Sequence, residues 1–483
     1  MNQMNEMPKA RVQVAHPYLA LMGLYLAGFT GMYSETALNI ALPQLSAAFG
    51  VDSSLTQWMV VGYMLVIGLC MPFSSLLLKW ASARKLTIFA LGAFIVGSLI
   101  SGFANDFAVA LVGRCIQGVG TGIVLPLMFS MVMQVIPPHK LGAAMGVTAL
   151  VIMFAPAVGP TLAGIIMGAL SWRWIFFSFV IVLAVGMVFA VKFEVNAFEV
   201  TRPHVDILSV LLSCAGFGLV VFGAGSASSF GWLSVPVLAS LVLGALCLVA
   251  YGRRQMGMSV PVINMDVFKV RGFRIGTLLM IVNFGITLSA MYILPQFYQN
   301  AMLVPVAVTG MLLLPGGIVN ALVSMVAGRL YDKMGARMLS LAGFALSVVA
   351  AGMFLTVTPA TPLAFVIAAH VVMMVGVPLA MSPVQTHGLA ALPARLSTDG
   401  TTVQNTLQQV GGAICTAVAT SLLMAGQGAS GVADISLAFS NGSHWVFLLV
   451  FALAVVGLLL SFRLSDPRRT VRDVDSATAA QAA

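Results

Sequence analysis

An all-α polytopic membrane protein of fourteen helical spans is the fold class that the sequence predicts, and three observations predict it. Of the 483 residues, 60% are hydrophobic and only 8% are charged, too little charge to keep a soluble domain dispersed. The apolar residues fall in runs of about 20 or more, the length a helix needs to cross a bilayer. The lysines and arginines cluster in alternate connections between those runs, as the positive-inside rule expects of an even number of spans. The spans suggest two six-helix bundles with two additional central transmembrane helices between them.

Taken in order, the first span covers roughly 17–43. It is too long for a signal-peptide core and no small-residue cleavage site follows it, so it reads as a retained helix. Spans at roughly 55–78, 85–104, 107–136, 141–169 and 174–193 complete an N-terminal six-helix bundle, residues 1–200. Two linker helices, roughly 206–226 and 233–252, form an inserted segment, 201–254. Spans at roughly 274–296, 305–328, 337–357, 361–388, 399–425 and 443–463 form a C-terminal bundle, 255–466. The connection 253–273 is the longest one on its side and reads as lying along the membrane surface. Residues 467–483, ending in "DSATAAQAA", have the composition of a disordered cytoplasmic tail. The chain also repeats loosely: "LLLKWASARK" joins spans two and three, and "GRLYDKMGAR" joins spans ten and eleven across a short loop.

With both termini placed inside, all of the 23 cations except Arg114 and Arg173 lie on the cytoplasmic side. The net charge of +9 is therefore a topological signal and does not indicate nucleic acid. The expected partner is the lipid bilayer, crossed many times with both termini on the cytoplasmic side. Cys70, Cys115, Cys214, Cys247 and Cys415 sit in apolar runs without CxxC spacing, as small buried hydrophobes do. No metal-ligand spacing, phosphate loop or nucleophile constellation is present in the sequence, so neither an enzyme nor a bound cofactor is expected.

Acidic residues are few enough to place singly. Asp52, Asp106 and Asp434 fall at outer connections, most of the others fall in or beside cytoplasmic segments, and only Glu35 lies well within a span. A charge at that depth costs at least about 2.5–3.5 kcal/mol on insertion scales, so it faces a cavity or a partner. Arg114 stands as far from the outer end of span four as Glu35 does from the outer end of span one, about 12 Å for eight residues. Two readings stay open. The two groups form a static ion pair that locks two helices, or Glu35 binds and releases a proton as its hydration or its distance from Arg114 changes. Helical spacing adds polar stripes: Glu35 with Asn39; Arg114 with Gln117 and Thr121; Asn405 with Gln408, beside Gln409. As a set they suggest the wall of a wet cavity, although any one amide could bond between helices. His370, alone in span twelve, reads more simply as an interhelical hydrogen bond than as a proton relay. The 30 methionines would suit an adaptable binding surface, or ordinary packing.

"SETALNIALP" in span one, "GRCIQGVGTGIVLP" in span four, "APAVGPTLAG" then "SWRWIFF" in spans five and six, and "GRLYDKMGAR" resemble the major facilitator superfamily. With Asp206 opening span seven, "LPQFYQ" and "NTLQQVGGA", they resemble the fourteen-span drug:proton antiporters of Emr/Qac type, lincomycin-resistance-type subgroup. The resemblance implies proton coupling at the span-one acid and at Arg114. It implies an antiporter motif including Gly159, Pro160 and Gly164, and a cytoplasmic gate at Gly328, Asp332, Gly335 and Arg337. The chain departs from the family pattern at four places. The usual span-one aspartate position is Ser34, with the acid at Glu35; Trp80 and Ala83 replace the first gating loop's Asp and Gly; Ala155 and Ala163 replace glycines; and span ten has no acid.

The expected function is a proton-coupled multidrug efflux antiporter that exports amphipathic small molecules by alternating access, with the proton as coupling ion. The alternative is a dedicated exporter of one physiological amphipath, such as a bile acid, a lipid-like compound or a metabolite. Nothing in the sequence indicates a tripartite partner protein.

Overall fold

The computed structural model describes residues 16–137, 141–197, 206–258, 261–393, 396–429, 431 and 434–464. The first six helices are α1 (Pro17–Phe49), α2 (Trp58–Trp80), α3 (Ala83–Phe103), α4 (Phe107–Val135), α5 (Leu141–Ala169) and α6 (Arg173–Phe193). A pair follows, α7 (Ile207–Phe230) and α8 (Val235–Gly257). The last six are α9 (Arg271–Gln296), α10 (Val306–Tyr331), α11 (Lys333–Phe354), α12 (Leu363–Ala390), α13 (Ser397–Ala429) and α14 (Ile435–Ser461). Among the described residues, twelve helical segments are long and apolar enough to cross a membrane. With α1 at 33 residues and α5 at 29, fourteen helices reach spanning length. Large apolar side chains such as Ile181, Leu246 and Leu459 face outward, as lipid-facing helices require.

The structure differs from the sequence reading at one connection. The short loop expected between spans ten and eleven is helical, and α10 and α11 run on as one stretch broken only at Gly335, with φ 76° and ψ 167°. That φ lies in the left-handed region, where a Cβ would be strained, so glycine alone sets the break. Lys9, Arg11, Lys140, Arg202, Arg395, Arg468, Arg469, Arg472 and the tail 467–483 lie outside the described residues.

Cross-helix bonds separate the bundle into two ends. At one end Thr87 donates to Glu194, Arg84 donates to the Val191 carbonyl, Arg254 donates to Asp206, and Ser340 pairs with Ser461. Most described lysines and arginines sit at this end. At the other, Ser54 pairs with Ser229, Arg173 donates to the Ala104 carbonyl, and Ser436 donates to the Ala301 carbonyl. Three of the few acids at this cation-poor end are helix caps: Asp52 accepts from Leu55 N, Asp106 from Ala108 N, and Asp434 from Ser436 N. Each satisfies backbone N–H groups that a helix start leaves unpaired. Arg173, the exceptional cation there, lies over the Trp172 ring at 4.4 Å.

The internal repeat shows in packing. A Cβ on Gly97 of α3 would lie 2.4 Å from the Gly113 carbonyl oxygen of α4. A Cβ on Gly343 of α11 would lie 2.6 Å from the Gly376 carbonyl oxygen of α12. Both halves thus bring their third and fourth helices into backbone contact through a glycine pair. The pair α7–α8 is held at the side of α2, where Gln57 donates to the Gly225 carbonyl at 3.3 Å and α7 also packs on α13.

Gly343→Leu should lower the thermal unfolding midpoint of detergent-purified protein, by an overpacking cost of about 1–3 kcal/mol. Gly352→Ala, whose Cβ would meet nothing nearer than Phe451 at 3.9 Å, should leave it unchanged. Glu194, just past the end of α6, is buried, and that burial pushes its carboxyl from 4.5 to about 7, against the pull of Thr87 and Arg84. Its stabilising contribution is full below pH 4.5 and falls as pH rises towards about 7. Unfolding measured across that window should therefore depend less on pH in Glu194→Gln than in the wild type.

Candidate functional site: a central cavity beside a buried arginine

Arg114 is fully buried in α4, and its guanidinium is satisfied almost completely by neutral groups. Its Nε donates to the Met59 carbonyl at 2.9 Å, and one terminal nitrogen donates to Ser34 Oγ at 2.5 Å and to Gln117 Oε1 at 2.7 Å. The other reaches the Ser34 carbonyl at 3.4 Å, and the guanidinium carbon lies 3.9 Å from the Tyr63 ring centroid. Gln117 passes the network on by donating to Ser98 at 2.8 Å. Tyr63 donates to the Gly31 carbonyl and shares a 2.7 Å bond with Thr121. A buried guanidinium needs its donors filled, and the donors of Arg114 are filled from α1, α2 and α4 itself.

The expected direct pairing of Glu35 with Arg114 is not what the geometry gives. Among the described residues the two make no ion pair; the hydroxyl and carbonyl of Ser34, the preceding residue, occupy that place. The two side chains stay close enough for each to sense the other's charge. Glu35, 1% exposed, instead lines a cavity between the halves, with Gln409 of α13 nearby. Its Oε2 has no partner. Successive residues on a helix point about 100° apart, so the shift of the acid from 34 to 35 turns the serine to the arginine and the carboxyl to the cavity.

The cavity, open solvent at its mouth included, has about 1000 Å³ of non-atom space between walls from α1, α5, α9, α10, α12 and α13. Its lining is mostly apolar and includes Met32, Met291, Met374 and Met381. Of the residues expected to line it, Gln408 and His370 do. Gln117 and Thr121 do not, because the arginine network holds them inside the first six helices. Asn39 is buried away from it with an unpartnered Oδ1. Asn405 is half-buried outside the lining, and Gln409 is buried near Glu35 without lining the cavity. The sequence reading passed over Asn283 and Asn320, both in the wall; an amide inside an apolar run was the signal that could have found them.

The glycines of α5 occupy two different contacts. A Cβ on Gly159 would lie 2.3 Å from the Thr36 hydroxyl of α1, and one on Gly164 would lie 2.9 Å from the Gly310 Cα of α10. Pro160, between them, lines the cavity. The hydrogen bonds that join the first six helices to the last six among the described residues are both at the cation-poor end. Thr161 donates to the Gly310 carbonyl at 2.8 Å, and Gln299 donates to the Ile40 carbonyl at 3.1 Å. At the opposite end Gly328 is exposed, Gly335 breaks the helix and Arg337 is half-buried; the Asp332 side chain lies outside the described residues.

Comparison with known proteins agrees with this architecture. The family model described as Major Facilitator Superfamily matches residues 24–416. The lincomycin resistance protein LmrB of Listeria monocytogenes is 41% identical over 456 residues, covering 93% of this chain and 97% of its own. The multidrug export protein EmrB of Haemophilus influenzae is 26% identical over 408 residues, covering 83% and 79%. A crystal structure of a mutant peptide transporter POT in complex with sulfate has the same fold at 13% identity, with a TM-score of 0.68 over 93% of this chain and 95% of that one. Fourteen spanning helices, a cavity between two bundles and a family match over most of the sequence converge: the chain is a membrane transport protein and belongs to the Major Facilitator Superfamily.

Proposed function

We propose that this transporter exports amphipathic small molecules, in the manner the names of its drug-resistance relatives describe, and that protons entering in exchange drive it through Glu35. The observation that carries this reading is the position of Glu35. It is the carboxyl group in the cavity wall, it is almost fully buried, and one of its oxygens has no donor. A charge there is poorly solvated, and a proton offers the missing partner. Because Arg114 is satisfied elsewhere, Glu35 can gain or lose its proton without leaving a guanidinium bare. Gln409, on the second half, lies near it, so its protonation state would bear on how the halves meet.

A mostly apolar wall with four methionines supports breadth of substrate, since flexible thioethers repack around different shapes. The two bonds that close the cation-poor end fit a stage before release to the outside. The cation-rich end is the cytoplasmic one in this reading, the membrane is the bacterial plasma membrane, and the break at Gly335 lies in the cytoplasmic gate.

Adding substrate to purified, weakly buffered protein near neutral pH should release protons, and Glu35→Gln should abolish the release while leaving the protein folded. No release, or release unchanged in Glu35→Gln, would refute the coupling. Ser34→Ala removes a hydrogen bond to a charged group, worth about 1.5–3 kcal/mol. It should lower thermal stability while proton release remains measurable, because Ser34 serves Arg114 and not the coupling step.

A further inference from the structure

The cavity has a second set of polar groups, on the last six helices where Glu35 is on the first six. Asn283 of α9 is 1% exposed; its Nδ2 donates to the Val377 carbonyl at 3.3 Å, and its Oδ1 has no partner. His370 of α12 is 4% exposed, and its Nδ1 has no partner. The Nδ2 of Asn320 on α10 reaches the Met374 sulfur at 3.4 Å, a weak acceptor. All three line the cavity. Buried polar atoms in folded proteins are nearly always paired. Two orphaned atoms and one poorly matched donor, from three helices around one cavity, are therefore an arrangement that a ligand can complete.

The seat of His370 is part of the fold. A Cβ at position 316 of α10 would lie 2.4 Å from its Cε1 and 2.5 Å from its Nδ1, so Gly316 opens the notch that holds the ring. On α12, His370, Met374, Val377 and Met381 follow helical spacing and share the cavity face. Among the described lining residues no carboxylate or guanidinium stands on this wall; Glu35 is the acid of the lining, and it belongs to α1. The groups presented are neutral hydrogen-bonding groups surrounded by apolar surface.

We propose that Asn283, Asn320 and His370 form a subsite for uncharged hydroxyl or amide groups of the substrate. Its apolar remainder lies against Met291, Met374 and Phe284. The subsite is separate from the proton site and selects amphipaths by hydrogen bonding, not by charge. It rests on the reading that substrate occupies this cavity, and it does not depend on proton coupling.

Binding to the purified full-length protein at fixed pH tests it, with two probes. Lincomycin is an amide-linked, hydroxyl-rich amphipath; tetraphenylphosphonium is a lipophilic cation with neither hydroxyl nor N–H. Asn283→Leu and His370→Phe should each weaken lincomycin binding about tenfold or more, because a site built to bond such groups discriminates strongly when the bond is lost. Tetraphenylphosphonium should change less than about twofold. His370→Gln, which restores a polar side chain, should recover part of the lincomycin affinity. Asn320→Leu, at a half-buried position, supplies a third variant if one of the others does not fold. Unchanged lincomycin binding, equal losses for both probes, or wild-type protein that does not bind lincomycin would overturn the subsite. Glu35→Gln separates the two claims: loss of proton release with lincomycin binding still sensitive to Asn283 and His370 supports both. Proton release unaffected by Glu35→Gln sinks the coupling alone.

Discussion

The buried guanidinium of Arg114 is the constraint around which the first six helices are built. A full positive charge with no exposure must have its donors filled. The chain fills them with a serine, two backbone carbonyls, a glutamine and a tyrosine ring. Those partners come from α1, α2 and α4, so satisfying one side chain fixes three helices against each other. The choice of neutral partners matters as much as the number. A carboxylate bound to Arg114 would be held in place by its charge; a serine hydroxyl leaves the neighbouring carboxyl free to face the cavity.

From there the contacts lead to the second half. Thr36, one residue beyond Glu35, meets α5 at Gly159, and α5 meets α10 at Gly164 and Gly310. Glu35 itself lies near Gln409 of α13. A change in charge at Glu35 thus acts where α1 touches both a helix of its own bundle and a helix of the other one. Glycines make these contacts tight, and tight contacts between rigid helices favour discrete arrangements over gradual deformation.

Much of the fold was legible because lipid and charge act on the whole chain at once. Alternate loops carrying the cations gave the direction of each helix, and among the described residues most of those cations lie at one end. Glu35 was legible as the lone acid in a span. The face it turns to was not, since helical spacing tells which residues share a side and says nothing of what covers that side. For that reason Gln117 and Thr121 read as cavity wall but serve Arg114, while Asn283 and Asn320, each isolated in an apolar run, read as nothing in particular. Gly335 was legible as a motif glycine; that the helix runs on to it was not, because the polar residues before it suit a helix end and a loop equally well.

The central claim is that Glu35 carries a proton that leaves when substrate occupies the cavity. Infrared difference spectroscopy of the purified protein, with and without lincomycin, observes that proton directly. The account predicts that the C=O stretch of a protonated carboxyl disappears on binding, with carboxylate bands appearing in its place, and that the change is absent in Glu35→Gln. A spectrum without that loss, or one that Glu35→Gln reproduces, would contradict it.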